Sequence, residues 1–300
     1  MNHAHMPKLE GRKIPFEFAD NIEACWIPNQ PQLSAMMNGA SLTMPYLEPF
    51  LIRTIREASK QIDDKQLRAD IAGFASQESY HFRTHRRFND LLTEQHYPEL
   101  RRLEEKMQAS YARLNKRSLQ TRMAYTAGFE AMTMGVTRWL IGDRVKLFAG
   151  ADPAATSFVL WHMVEETEHK RVAYDVYQAL YGDGIRAYFR RAIGVFHGSM
   201  DVVRFSRQGY IMMLKSDGIW RNLKSRLRLY KWVCEFLGKA MPFLLRAALP
   251  NHDPRDEQDL EWVTDWLEGY DHHPEQVPIV DTSDPMMPVP FSANANEVPA

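Results

Sequence analysis

Cysteine is scarce in this 300-residue chain: Cys25 and Cys234 are the only two. Two thiols build no disulfide framework, and they leave any metal site to carboxylates and imidazoles; a reducing, cytoplasmic setting is the expectation. Long apolar runs are also missing. No stretch of about 18 uninterrupted apolar residues occurs, so no membrane-spanning helix is expected. The first twenty residues are polar and broken by Pro7 and Pro15, without the apolar segment of a signal peptide. An excess of either charge is absent, the formal net charge being −1. Overall charge therefore gives no argument for a polyanionic partner, and with no recognised module present nucleic acid is not expected. No tandem repeat of 20 to 50 residues is visible. What remains is 45% hydrophobic and 25% charged, the composition of a globular protein with a large core.

The patterning is helical almost throughout. Residues 1–33 read as an irregular arm, punctuated by Pro7, Pro15, Pro28 and Pro31. A first helical pattern spans about 34–60, with Pro45 and Pro49 predicting a kink or a separate turn before regular helix near Tyr46. A turn follows at 61–64, where Asp63 or Asp64 suits an N-cap. A second helix runs to about Leu92. The charged segment 97–116 reads as a solvated connection. A third helix spans about 118–148, and Ala149-Gly150-Ala151-Asp152-Pro153 is a stop-and-restart signal. The fourth helix then runs to about Leu180.

Two Glu-x-x-His pairs stand out, Glu78 with His81 and Glu166 with His169. On a helix, positions i and i+3 share a face, so each pair offers a carboxylate and an imidazole to one partner. The first and third helices each place a Glu on an apolar side: Glu48 beside Met44, Leu51, Ile52 and Ile55, and Glu130 within GFEAMTMG. An isolated Glu or His on a helix is ordinarily solvated; the repetition of Glu helix, ExxH helix, Glu helix, ExxH helix is what argues otherwise. Turn positions add a test. The midpoint of Glu48 and Glu78 is residue 63, and that of Glu130 and Glu166 is residue 148. Both fall at turn signals. In two antiparallel hairpins each Glu therefore lies level with an ExxH, roughly 20 Å from its turn at 1.5 Å per residue.

Burying four carboxylates without compensation costs many kcal/mol, and two divalent cations would supply that compensation. The metal set is thus Glu48, Glu78, His81, Glu130, Glu166 and His169. Mixed carboxylate and imidazole donors suit iron first, with manganese or zinc as alternatives. His85 and His162 lie one turn from their motifs, as extra ligands, as donors that orient a ligand, or as packed core histidines. Glu165 flanks the face and can ligate or pair. Thr126, Thr133 and Thr137 line the Glu130 face. Glu168 points away and is expected at the surface.

The stretches QESYHFRTHRRFN, around Glu78, His81 and His85, and WHMVEETEHKRVAYDVY, around His162, Glu165, Glu166 and His169, resemble a bacterial family described as predicted metal-dependent hydrolases. The resemblance extends over most of the chain, to about residue 270, and implies metal-dependent hydrolysis. The ligand pattern itself looks like that of the ferritin-like di-iron carboxylate superfamily, which implies an all-α, ferritin-like four-helix bundle over 34–182 and O2-dependent oxidation of a hydrophobic or acyl substrate. Oxidation by a di-iron centre is the first reading, two-metal hydrolysis the alternative, and a non-enzymatic, membrane-associated metal protein the third.

Residues 183–250 change character. They stay helical but are basic and rich in apolar residues, which fits either a helical cap on the bundle or an amphipathic membrane-surface element, peripheral to the inner face of a membrane. From 251 to 300 acids dominate at first, Trp262 and Trp266 anchor a short helix, and the last residues read as disordered or draped. Oligomeric state is left open.

Overall fold

A computed structural model describes residues 9–182 and 184–291. Among these residues every regular element is helical and none is a strand. The expected kink in the first pattern is a full break: Pro31–Ser41 (α1) and Met44–Ser59 (α2) are separate helices. Pro31 and Pro45 each occupy a first-turn position, where the missing N–H is no loss. Helix α2 runs on through Pro49, so Glu48 sits inside a continuous helix and is buried.

Asp64 caps Lys65–Gln95 (α3), its side chain accepting from the N–H groups of Gln66 and Leu67 at 2.8 and 3.0 Å. Residues 97–116 do not form a solvated connection. After a short 3-10 turn, Arg101–Leu114 (α4) buries Leu103, Met107 and Tyr111. Its Glu104 accepts from Tyr46 Oη and Arg86 Nη1 at 2.9 and 2.8 Å, so an amphipathic face lies hidden in that charged segment. Ser118 caps Leu119–Gly142 (α5), which gives way at Asp143 to the short helix Arg144–Phe148 (α6). Asp152 accepts from Ala155 N–H at 2.8 Å to start Pro153–Tyr181 (α7), and Gly182, at φ 66°, closes it.

Helices α2 and α3 pair, α5 and α7 pair, and α3–α7, α2–α5 and α2–α7 contacts bring the four together. Apolar clusters fill the layers on either side of their middle. Leu51, Phe74, Met123 and Val176 lie in one, and Phe88, Phe158, Trp161 and Leu160 in the other. The arm belongs to the second layer: Phe16 is fully buried, its ring centroid 5.5 Å from that of Trp161.

Ile185–Ser216 (α8) packs along α5 and α1, and Leu223–Ala247 (α9) packs along α5. The α5–α8 crossing is backbone on backbone. A Cβ on Gly194 would stand 2.1 Å from the carbonyl oxygen of Ala124, so only glycine permits this approach. Beyond α9, Glu261–His272 (α10) is anchored by buried Trp262 and Trp266, and Trp262 donates to the carbonyl of Met287 at 3.1 Å. Of the last residues, 285–300, read as disordered or draped, 285–291 lie against the body with Met287 and Phe291 buried, and 292–300 fall outside the described residues.

Candidate metal centre

The four helices bring Glu48 (α2), Glu78 and His81 (α3), Glu130 (α5), and Glu166 and His169 (α7) to one place, each at most 1% exposed. His169 Nδ1 lies 3.2 Å from Glu78, 3.6 Å from Glu166 and 3.9 Å from Glu130. His81 Nδ1 lies 3.9 Å from Glu166. Nine buried donor atoms here have no hydrogen-bond partner: both oxygens of Glu48, Glu78 and Glu130, Glu166 Oε2, His81 Nδ1 and His169 Nδ1. Buried polar atoms are normally paired, and carboxylates above all. Subsets of the cluster, such as Glu78, Glu166 and His169, have ligand atoms within 4.8 Å of one another, close enough to share an ion. The residues fit divalent cations.

The histidines are set for that task from behind. Gln77 donates its amide hydrogens to the Glu10 carbonyl at 3.1 Å and to Glu168 at 2.8 Å. Its Oε1 must therefore accept, and His169 Nε2–H donates to it at 2.8 Å. That leaves the Nδ1 lone pair of a neutral His169 aimed into the cluster. His81 Nε2 is likewise held by Glu165, at 2.7 Å, again freeing Nδ1. Arg12 ties the two arrangements together, donating to Glu165 at 3.0 Å and to Glu168 at 2.6 Å. Glu168 is thus no surface bystander. Helix α7 is covered there by the arm, which the periodicity of α7 alone does not show.

A third imidazole faces the cluster. Asn89 donates to the Ser41 carbonyl at 2.9 Å, so its Oδ1 accepts from Ser41 Oγ at 2.7 Å. Ser41 Oγ then accepts from His85 Nδ1 at 2.8 Å, and His85 Nε2 accepts from His162 Nδ1 at 2.8 Å. The direction of this chain leaves His162 Nε2 turned toward Glu166, at 2.9 Å, and Glu48, at 3.7 Å. Two electron-rich atoms at 2.9 Å need a cation between them, a proton or a metal. The threonines are satisfied elsewhere: Thr126 and Thr133 donate to the carbonyls of Arg122 and Glu130, and Thr137 to that of Met163. Only Thr133 among them also lines the cavity described below.

Without a metal, protons are the only counter-charge. Burial, then the neighbouring carboxylates, pushes Glu48 and Glu130 well above the usual range. Burial raises Glu78 too, against the pull of His169. Burial holds His81 and His85 well below theirs. Burial opposes charge on both His169 and Glu166, but their mutual attraction outweighs it, raising the imidazole and lowering the carboxyl. Burial lifts Glu165 to about 7 although Arg12 pulls it down.

A cavity of about 430 Å³ reaches this cluster, touching His85, His162 and Glu166. Its walls are mostly apolar, with Met37, Met44, Phe129, Met132 and Val136 among them, and residues of α8 and α9 form its outer part. Sequence reasoning identified neither this cavity nor Arg12, Gln77, Ser41 and Asn89. One signal was available: the residue before each motif glutamate, Gln77 or Glu165, is polar, and each holds the histidine of the opposite motif.

A family model described as predicted metal-dependent hydrolase matches residues 10–258. No curated protein and no solved structure matches the chain significantly.

Proposed function

We propose, for a chain that belongs to the family of predicted metal-dependent hydrolases, a dinuclear metal enzyme whose substrate is an apolar, chain-like molecule. The observation that carries this reading is the set of nine unpartnered buried donor atoms converging from four helices. Glu48, Glu78, His81, Glu130, Glu166 and His169 would hold two divalent cations, with His162 as a third imidazole. One Glu from each of two helices and an ExxH from each of the other two is the donor set of ferritin-like di-metal bundles, and we read α2, α3, α5 and α7 as such a bundle.

Bound metals would supply Lewis-acid polarisation and water activation, or redox chemistry with dioxygen if they are iron. The chain's own residues supply the rest. Gln77, Glu165, Glu168 and Arg12 keep the outer nitrogens of His81 and His169 protonated, so that Nδ1 remains a donor. Ser41, Asn89 and His85 keep His162 Nδ1 protonated, so that its Nε2 is the free nitrogen. Methionine and aromatic walls seat an apolar substrate beside Glu166 and exclude water from it.

Two reactions fit this frame. Hydrolysis is the one the family description supports. Oxidation with dioxygen is the second, favoured by the carboxylate-rich donor set and an apolar cavity that meets it directly. Acyl esters and saturated acyl chains, offered to protein loaded anaerobically with zinc or manganese and to protein loaded with iron plus reductant and oxygen, separate them. Ester cleavage that ignores oxygen establishes hydrolysis. Substrate-dependent oxygen uptake with iron establishes oxidation. Neither activity, from protein carrying two metals per chain, would contradict an enzymatic role.

A further inference from the structure

Helices α8 and α9 each carry an apolar stripe that none of the described residues covers. On α8, Ile185, Phe189, Ile193, Phe196 and Met200 recur at helical spacing and are all exposed, Ile193 by 67%. On α9, Leu223, Leu227, Tyr230, Leu237, Met241 and Leu245 do the same, Leu223 by 70% and Tyr230 by 63%. Single exposed apolar residues are ordinary, but two continuous stripes on neighbouring helices mark a contact surface.

Both stripes run into the mouth of the cavity. The α8 spacing continues through Val203, Arg207 and Tyr210, which line it. Tyr230 and Leu237 belong both to the α9 stripe and to the cavity wall. The cavity that meets the metal centre therefore opens within the exposed apolar face.

Charge indicates what covers that face. Between residues 185 and 249 the chain has thirteen Lys and Arg against three Asp and Glu, an excess of ten positive charges, in a protein whose net charge is −1. Exposed Arg186, Arg190, Lys224, Arg228 and Lys231 stand beside the stripes. A second copy of the chain would set like charge against like. An anionic bilayer is complementary on both counts: apolar side chains enter the interface while the cations meet lipid headgroups. No described helix is long and apolar enough to cross a membrane, so the contact is with one leaflet.

We propose that the α8–α9 face docks on an anionic membrane surface and that the substrate enters the cavity from the lipid, past Arg207 and Arg226 at the mouth. The substrate is then a membrane-resident amphiphile whose chain occupies the methionine-lined cavity. This rests on reading the cavity as the substrate site.

The test is flotation of the full-length, metal-loaded protein with two kinds of vesicle, phosphatidylcholine alone and phosphatidylcholine mixed with phosphatidylglycerol. Binding to the anionic vesicles, weakened by added salt, is expected. The pairs Leu223→Glu with Leu227→Glu, and Phe189→Glu with Ile193→Glu, should each cut that binding about tenfold or more. These side chains are exposed and do not line the cavity, so helicity and metal content should be unchanged. Failure to float with either vesicle, or equal flotation with both, would overturn the proposal. So would a wild-type dimer that the same substitutions dissociate, which would assign the face to a second copy. Two metals per chain without vesicle binding removes only this proposal; vesicle binding without metal removes the dinuclear reading and leaves the docking face.

Discussion

Arg12 pairs with both Glu165 and Glu168, and it comes from an arm more than 150 residues away in sequence. Arg12→Met keeps the aliphatic packing and deletes both ion pairs, leaving a fully buried Glu165 uncompensated. Breaking a buried pair in this way costs about 3–5 kcal/mol. Partial exposure of Arg12 and Glu168 places the expected loss at the lower end, about 3 kcal/mol, or roughly a hundredfold in the folded-to-unfolded ratio. The loss should depend on pH. Glu165 sits at about 7 with Arg12 present, and without it the carboxyl shifts higher. At pH 6 the carboxyl is largely protonated with or without Arg12, so Glu165 adds little to the loss; toward pH 8 it ionises in the wild type while the variant must keep its proton or bury a bare charge, and the loss grows. A protonated Glu165 also donates to His81 Nε2 instead of accepting from it. That moves the His81 hydrogen to Nδ1 and removes a metal donor, so metal affinity should fall about 10–100-fold. Urea unfolding at pH 6 and pH 8, with chelator competition for the metal, reads both effects. A loss below about 0.5 kcal/mol at pH 8, with unchanged metal affinity, would refute the reasoning.

Metal-free protein should lose stability as pH rises from 7 to 9. Glu48, Glu130 and His169 have raised folded-state values, so as pH climbs past their unfolded values the native state holds protons that the unfolded chain has released. His81, His85 and Glu166 are shifted downward and add little opposing slope there, since their unfolded values already lie below pH 7. Thermal unfolding of metal-loaded protein should be nearly flat over the same interval, and an equal decline in both forms would contradict the assignment. Ser41→Ala removes the hydroxyl that orients His85 and, through it, His162; metal retention against a chelator should weaken about tenfold with the helical content unchanged, which circular dichroism checks. Gly194→Ala forces a Cβ to within 2.1 Å of a backbone oxygen at the α5–α8 crossing and should destabilise by about 1–3 kcal/mol in urea unfolding.

The six proposed ligands were legible because helical spacing and turn position are local properties. Asp64 and Asp152 are caps that a sequence shows directly, and they set where the helices carrying Glu78 and Glu166 begin. The break between α1 and α2 was half legible: Pro45 announced an interruption but could not say that Pro31 starts a helix of its own. What surrounds the ligands was not legible. Arg12 lies in an arm with no periodicity; its Phe16, Phe18, Trp26 and Ile27 point to packing on the body, but nothing local says that Arg12 will stand behind two histidines. Glu168 was misplaced for the same reason, since solvent on its side of α7 is replaced by Gln77 and the arm. The cavity depends on how α8 and α9 cross α5, which Gly194 permits but does not by itself announce.

Everything proposed for the site depends on six buried side chains, aided by His162, holding two divalent cations. Metal analysis of protein produced with iron, manganese and zinc supplied, together with Glu130→Ala and Glu78→Ala, tests it most directly. Two transition-metal ions per wild-type chain are expected, and at least one is lost in each variant while helical content by circular dichroism is retained. Wild-type protein carrying no more than trace metal, or variants that keep the full complement, would contradict it.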